Sequence, residues 1–161
     1  MAKPIISLLD STNTNIVEEW SVGVVKANSS SSILEVNVWN NKGGTTEVAD
    51  LREASVTCLD GNGGTTGDVS VGKWLKVLVG TTADTDNIGN KLYTAVGGSS
   101  SAPLRAQTVP SSSGNIIKGS ANDGTANSGN NYCNCKFRFD VPINANKGTY
   151  PFKIQVRGYS V

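Results

Sequence analysis

The chain has 161 residues, the size of one ordinary domain, and Gly, Ser, Asn and Thr together supply 67 of them. Charged residues make up 17% and sum to +1, which excludes a strongly basic nucleic-acid binder and an acidic tail protein. There is no histidine, so the commonest general base and the commonest metal ligand are both missing.

The opening Met1-Ala2-Lys3-Pro4-Ile5-Ile6-Ser7-Leu8-Leu9-Asp10 has a short apolar patch broken by Ser7. A secretory core needs roughly 7–15 apolar residues and a membrane helix about 20, so neither a signal peptide nor a membrane span is expected. Synthesis and folding in a reducing cytoplasm are expected instead. The three cysteines agree with this, because a disulfide framework uses an even number.

Strand periodicity runs through the chain. Residues 5–9 and 20–25 are weak strand candidates. Leu34, Val36 and Val38 then alternate with Glu35, Asn37 and Trp39. Residues 48–54 allow at most one helical turn. Ala54, Val56 and Cys58 form the next apolar face, and Leu75, Val77 and Val79 the one after, with Trp74 out of phase. Asn40-Asn41-Lys42-Gly43-Gly44 and Asp60-Gly61-Asn62-Gly63-Gly64 supply turn residues that tolerate positive φ, and Gly-Gly-Thr-Thr occurs in both loops.

Residues 81–131 differ: 28 of these 51 are Gly, Ser, Thr or Asn. The stretch is expected to be an extended insertion, either a loose surface loop or an arm that orders against a neighbouring subunit. Short strands at 91–96 and 115–118 are expected within it. Phe137, Phe139 and Val141, then Phe152, Ile154 and Val156, complete the alternation. Seven or eight antiparallel strands in a single all-β domain over 1–161 follow, each sheet with one packed and one wet side.

The run Phe137-Arg138-Phe139-Asp140-Val141-Pro142-Ile143-Asn144-Ala145-Asn146-Lys147-Gly148-Thr149-Tyr150-Pro151-Phe152 through Gly158 resembles the final hairpin of bacterial immunoglobulin-like domains. There a strand ends in Val-Pro and Gly-Thr-Tyr opens the last strand. Ile33 to Gly44, an apolar alternation closed by an Asn-x-Gly turn, resembles an early strand of the same domains. The two blocks cover about a fifth of the chain and imply an Ig-like antiparallel β-sandwich. In style the chain is also similar to small head and tail proteins of tailed phages and prophages of Gram-positive bacteria. The shared features are a Pro-Ile-Ile opening, a Trp-Asn-Asn-x-Gly-Gly turn and a Gly/Ser/Thr-rich excursion. That resemblance implies a capsid decoration protein, located in the virion after assembly in the host cytoplasm.

The residues themselves give little chemistry to an enzyme. Without histidine a nucleophile needs Lys, Asp or Glu as its base, and neither Ser-x-x-Lys nor Gly-x-Ser-x-Gly is present. Cys58, Cys133 and Cys135 lack a fourth zinc ligand and the usual Cys-x₂₋₄-Cys spacing, and read as thiols on strands. Asp60-Gly61-Asn62 and Asp84-Thr85-Asp86 look like calcium-loop fragments without a closing Glu, and read as turns. No catalytic residue, metal site or cofactor is expected.

Binding residues are better candidates. Residues 1–90 hold 6 basic and 11 acidic side chains, and residues 91–161 hold 8 and 2. Lys136, Arg138, Lys153 and Arg157 would share the wet face of the last hairpin, as an ordinary solvated strip or as an electrostatic contact to an acidic partner. No aromatic interleaves that strip for base stacking, so nucleic acid is not expected. Trp39 and Trp74 fall out of phase with their apolar faces, and each is either covered by the long excursion or exposed as an anchor. The reading is a non-enzymatic virion protein that binds and reinforces an assembled shell, its partner the major capsid protein or another virion protein. A glycan-binding or adhesion module is the alternative, and a tail-tube or baseplate subunit a third. Homo-oligomerisation stays open, and no membrane partner is expected.

Overall fold

The computed structural model describes residues 1–80 and 93–160. Its strands are β1 (Ile6–Asp10), β2 (Ser29–Ser30), β3 (Leu34–Asn40), β4 (Arg52–Asp60), β5 (Leu75–Gly80), β6 (Thr94–Val96), β7 (Ala102–Pro103), β8 (Tyr132–Val141) and β9 (Phe152–Tyr159). They form two antiparallel sheets. The larger has the order β1-β3-β8-β5-β6, with β2 paired to the end of β8, and the smaller has the order β7-β4-β9. The architecture is an all-β sandwich.

Alternation determines what faces inward. On β8, Cys133, Cys135, Phe137 and Phe139 are buried while Tyr132, Asn134, Lys136 and Arg138 are half-buried on the outer face. Val36 and Val38 on one neighbouring strand and Val77 and Val79 on the other join them, and Ala54, Val56 and Cys58 of β4 close the core from the opposite sheet. Full burial of each Val, Leu or Phe contributes about 1.5–3 kcal/mol, so β8, flanked on both sides, is the centre of the larger sheet's stability.

Four features differ from the pattern expected. First, β8 and β9 do not form a hairpin: β8 pairs with β3 and β5, whereas β9 pairs with β4 in the other sheet. Residues 142–151 cross between the sheets, with Tyr150 packed edge-on against Trp74, centroids 4.8 Å apart. Second, residues 48–54 are not helical. The Val48 N–H donates to the Gly119 carbonyl, and Leu51 and Ile117 exchange both backbone hydrogen bonds, so this segment is drawn out as a strand-like edge. Among the described residues the one α-helical turn is α1 (Asp68–Val71), bounded by Gly67 and Gly72. Third, residues 20–25 are not a strand. Gly23 at φ +76° breaks the run, and Trp20 is instead wedged beside Phe139 and Phe152, at 5.6 and 5.9 Å.

The fourth difference is the largest. Residues 93–131 pack onto their own chain: Val96, Ala102, Leu104, Ala106, Val109, Ile116 and Ile117 are all buried in the core. Asparagine side chains stitch this irregular backbone down. Asn40 Nδ2 donates to the carbonyls of Ala49 and Ile117, at 3.0 and 3.2 Å, and Asn41 Nδ2 donates to those of Thr46 and Gly119, both at 2.9 Å. Asn131 Nδ2 reaches the Lys118 and Ser120 carbonyls at 3.0 and 2.8 Å. Buried backbone carbonyls outside a ladder need such donors, which is what the high Asn content supplies. Within this stretch 94–96 forms the short β6, and 115–118 contributes only the bridge between Leu51 and Ile117. Residues 91–92, and the Asp84-Thr85-Asp86 turn, lie outside the described residues.

Candidate binding surfaces

Neither out-of-phase tryptophan is a surface anchor. Trp39 is fully buried and Trp74 nearly so. The Trp39 ring stacks on Tyr132 at 4.7 Å, and its Nε1 donates to Asn13 Oδ1 at 2.7 Å. Trp39 is thus covered chiefly by the turn after β1 and by the start of β8, and Trp74 by Tyr150.

The expected basic strip is divided. Lys136 and Arg138 sit on the outer face of the larger sheet, Lys153 and Arg157 on the smaller sheet, because β8 and β9 belong to different sheets. Arg138 is also engaged: Nε and Nη2 grip the Asp140 carboxylate at 2.9 and 3.2 Å, and the guanidinium lies over Tyr93 at 4.1 Å. Burial would raise the Asp140 pKa, but the Ser30 hydroxyl and Arg138 outweigh it and hold it below its ordinary value. Lys136 is directly opposite Glu35 in the register. Lys153 and Arg157 are exposed, with Arg157 Nε donating to Gln155 Oε1 at 2.6 Å.

A different basic surface lies at one end of the sandwich. Segments 23–33, 67–74 and 142–151 meet there: Ser29 pairs with Val141, the Asp140 N–H donates to the Trp74 carbonyl at 2.9 Å, and Tyr150 covers Trp74. These segments display Val24, Ile33, Val71 and Ile143, exposed by 100%, 55%, 58% and 76%. Their ionisable residues are Lys26, Lys73 and Lys147 against Asp68 alone. Exposed large apolar side chains and an excess of lysine thus occur together on three adjoining segments.

Toward the other end of the strands, the outer face of the larger sheet holds a cleft of about 330 Å³ between Ser11, Asn13, Asn37, Gly80, Gln107, Ala126, Tyr132 and Asn134. Register brings its floor together, since Asn37 is opposite Asn134, and Trp39 opposite Tyr132. Asn13 Oδ1 accepts from Asn37 Nδ2 at 2.8 Å, Asn37 Oδ1 accepts from Asn134 Nδ2 at 2.8 Å, and Asn134 Nδ2 also donates to Glu35 at 3.0 Å.

Two carboxylates shape the cleft walls. Asp10 accepts from the Thr14 N–H at 2.9 Å, the Thr12 hydroxyl at 2.7 Å and Asn15 Nδ2 at 2.7 Å, which holds Asn13 at φ +61° over the sheet. Asp123 likewise accepts from the Thr125 N–H and from the Thr125 and Ser128 hydroxyls, and the carbonyl of Ala126 in this loop accepts from the Tyr132 hydroxyl at 3.2 Å. These hydrogen bonds hold both carboxyls below the ordinary carboxylate range, the Thr14 and Thr125 backbone N–H groups contributing most. Burial raises the Tyr132 phenol.

The three thiols point into the core. Burial, and then the Asp60 charge, push Cys58 up to about 12, and the Cys133 side chain and burial raise Cys135. Asp60 holds a turn, its Oδ2 accepting from the Gly67 N–H at 2.7 Å. Among the described residues no three His, Cys, Asp or Glu side chains gather in a metal-binding group. Nor does any described helix have the length and apolarity to cross a membrane. Comparison with family models and with curated protein sequences finds no match.

Both surfaces escaped the sequence reading. The docking end is assembled from three separated segments. The cleft is assembled by cross-strand register, although the polar residues out of phase on β3 and β8 were visible as a wet face.

Proposed function

We propose that the chain is a non-enzymatic structural protein of a tailed-phage particle, a capsid decoration protein that docks on the assembled shell and reinforces it. The observation that carries this reading is the apolar and basic end, with Val24, Ile33, Val71 and Ile143 exposed among Lys26, Lys73 and Lys147. Docking there buries apolar surface, and the lysines orient the protein on acidic shell subunits. A contact of modest affinity becomes stable when repeated over a particle whose subunits it bridges. The phage-like style of the chain supports the same reading.

The test is the copy number of the chain in gradient-purified particles, by quantitative mass spectrometry against the major shell protein. A ratio near one per shell subunit, or one per few, supports decoration. A handful of copies per particle refutes it in favour of a tail or adhesion role, and absence from the particle removes the virion reading altogether.

A further inference from the structure

We propose that the cleft on the outer face of the larger sheet is a binding site for a neutral saccharide. The site lies about 23 Å along β8 from the docking end, from Asn134 to Val141 at 3.3 Å per residue, and does not depend on the docking reading. Three properties point to this ligand class.

The lining is polar yet uncharged: three asparagines, a glutamine, a serine and a tyrosine, with the Glu35 carboxylate standing behind Asn134 and bonded to it. A charged ligand would meet no opposite charge among the described lining residues, whereas a sugar hydroxyl both donates and accepts, as side-chain amides do.

The amides are fixed before any ligand arrives. Asn13, Asn37 and Asn134 are chained to each other, and Asn37 is 3% exposed. Asn13 Nδ2 and Asn134 Oδ1 make no hydrogen bond to another described residue, which leaves one donor and one acceptor available at a rigid spacing.

Tyr132 supplies an aromatic surface backed by Trp39, so its ring is held in place and the apolar C–H face of a sugar ring can lie against it. At about 330 Å³ the cleft is at the small end of ligand sites and suits one or two sugar rings.

The experiment is saturation-transfer NMR of the full chain with cellobiose, maltose and N,N′-diacetylchitobiose, with glucuronic acid and glucosamine as charged counterparts. Expected is transfer to at least one neutral disaccharide, stronger than to either charged sugar, with shifts in the side-chain amide signals of Asn13, Asn37 and Asn134. Asn134→Ala weakens binding about tenfold, the loss of one good hydrogen bond. Ala126→Leu adds bulk to the exposed cleft wall, removes no hydrogen bond of the fold, and abolishes transfer. Absence of transfer to all three disaccharides at millimolar concentration overturns the proposal. So does transfer that survives Ala126→Leu unchanged in a protein with wild-type melting behaviour.

Discussion

Asn40→Ala should be among the most damaging polar substitutions in this protein. Asn40 is completely buried at the end of β3, where its side chain ties together three segments far apart in sequence. Nδ2 donates to Ala49 and Ile117, and Oδ1 accepts from the Ile5 N–H at 3.0 Å. After truncation the Ile117 carbonyl still accepts from the Leu51 N–H at 2.9 Å, and water can reach exposed Ile5. The Ala49 carbonyl is left without its donor. A buried orphan costs about 1–3 kcal/mol and each further lost bond about 0.5–1.5 kcal/mol, giving a loss of roughly 3 kcal/mol. For a chain of this size that corresponds to about 6–12 °C in melting temperature. Urea unfolding and thermal melts followed by circular dichroism measure it, with exposed Asn144→Ala as the control expected to change neither. A loss under about 1 kcal/mol for Asn40→Ala would refute the claim that the buried Asn40 side chain ties these three segments together.

Other expectations follow from single features. Gly97 has φ +136°, and a Cβ there would collide with the Ser70 carbonyl oxygen, so Gly97→Ala should cost about 2–3 kcal/mol. Gly23→Ala, at φ +76° with open space around it, should cost about 1 kcal/mol, and equal losses by urea titration would contradict the packing at Gly97. The three cysteines are buried and their thiols shielded, so a thiol reagent at pH 8 should label none in the native protein and all three in denaturant; rapid native labelling would show that the core is open. Asp10 and Asp123 have folded-state pKa values below the ordinary 3.8. Their contribution is therefore fully present above about pH 4 and is lost as pH falls through the folded values. The Asn13 amide signals should stay sharp as pH falls from about 5 through the ordinary 3.8 and broaden only well below it, and broadening centred on the ordinary value would rule out Asp10 as the anchor of this wall.

Strands were legible because each leaves a period-2 record in its own residues: the phase read for 136–141 puts Phe137 and Phe139 inside and Lys136 and Arg138 outside, as observed. Pairing leaves no such record. Ten residues between Val141 and Phe152 fit a hairpin as readily as a crossover, and the crossover divided the basic strip. The choice between a covered and an exposed Trp39 stayed open because its cover comes from Asn13, 26 positions upstream.

The region 93–131 was hidden by its composition. An asparagine that donates to a buried carbonyl and one that faces water are the same letter, and Gly and Ser carry no apolar signal. One clue was present: Ala102, Leu104 and Ala106 recur at every second position, and all three are buried. The cleft was illegible for a related reason, since Asn37 and Asn134 become neighbours only once β3 and β8 are set in register.

The central claim is that the apolar, basic end holds the protein on a shell. It is tested most directly by co-sedimentation of the purified chain with particles lacking it, comparing wild type with the double variant Val24→Asp, Ile143→Asp. Both positions are exposed, by 100% and 76%, so the variant should keep the wild-type melt. Saturable co-sedimentation of wild type, weakened by salt and lost in the folded double variant, is the predicted result. Equal binding by the two proteins, or no binding by either, would contradict it.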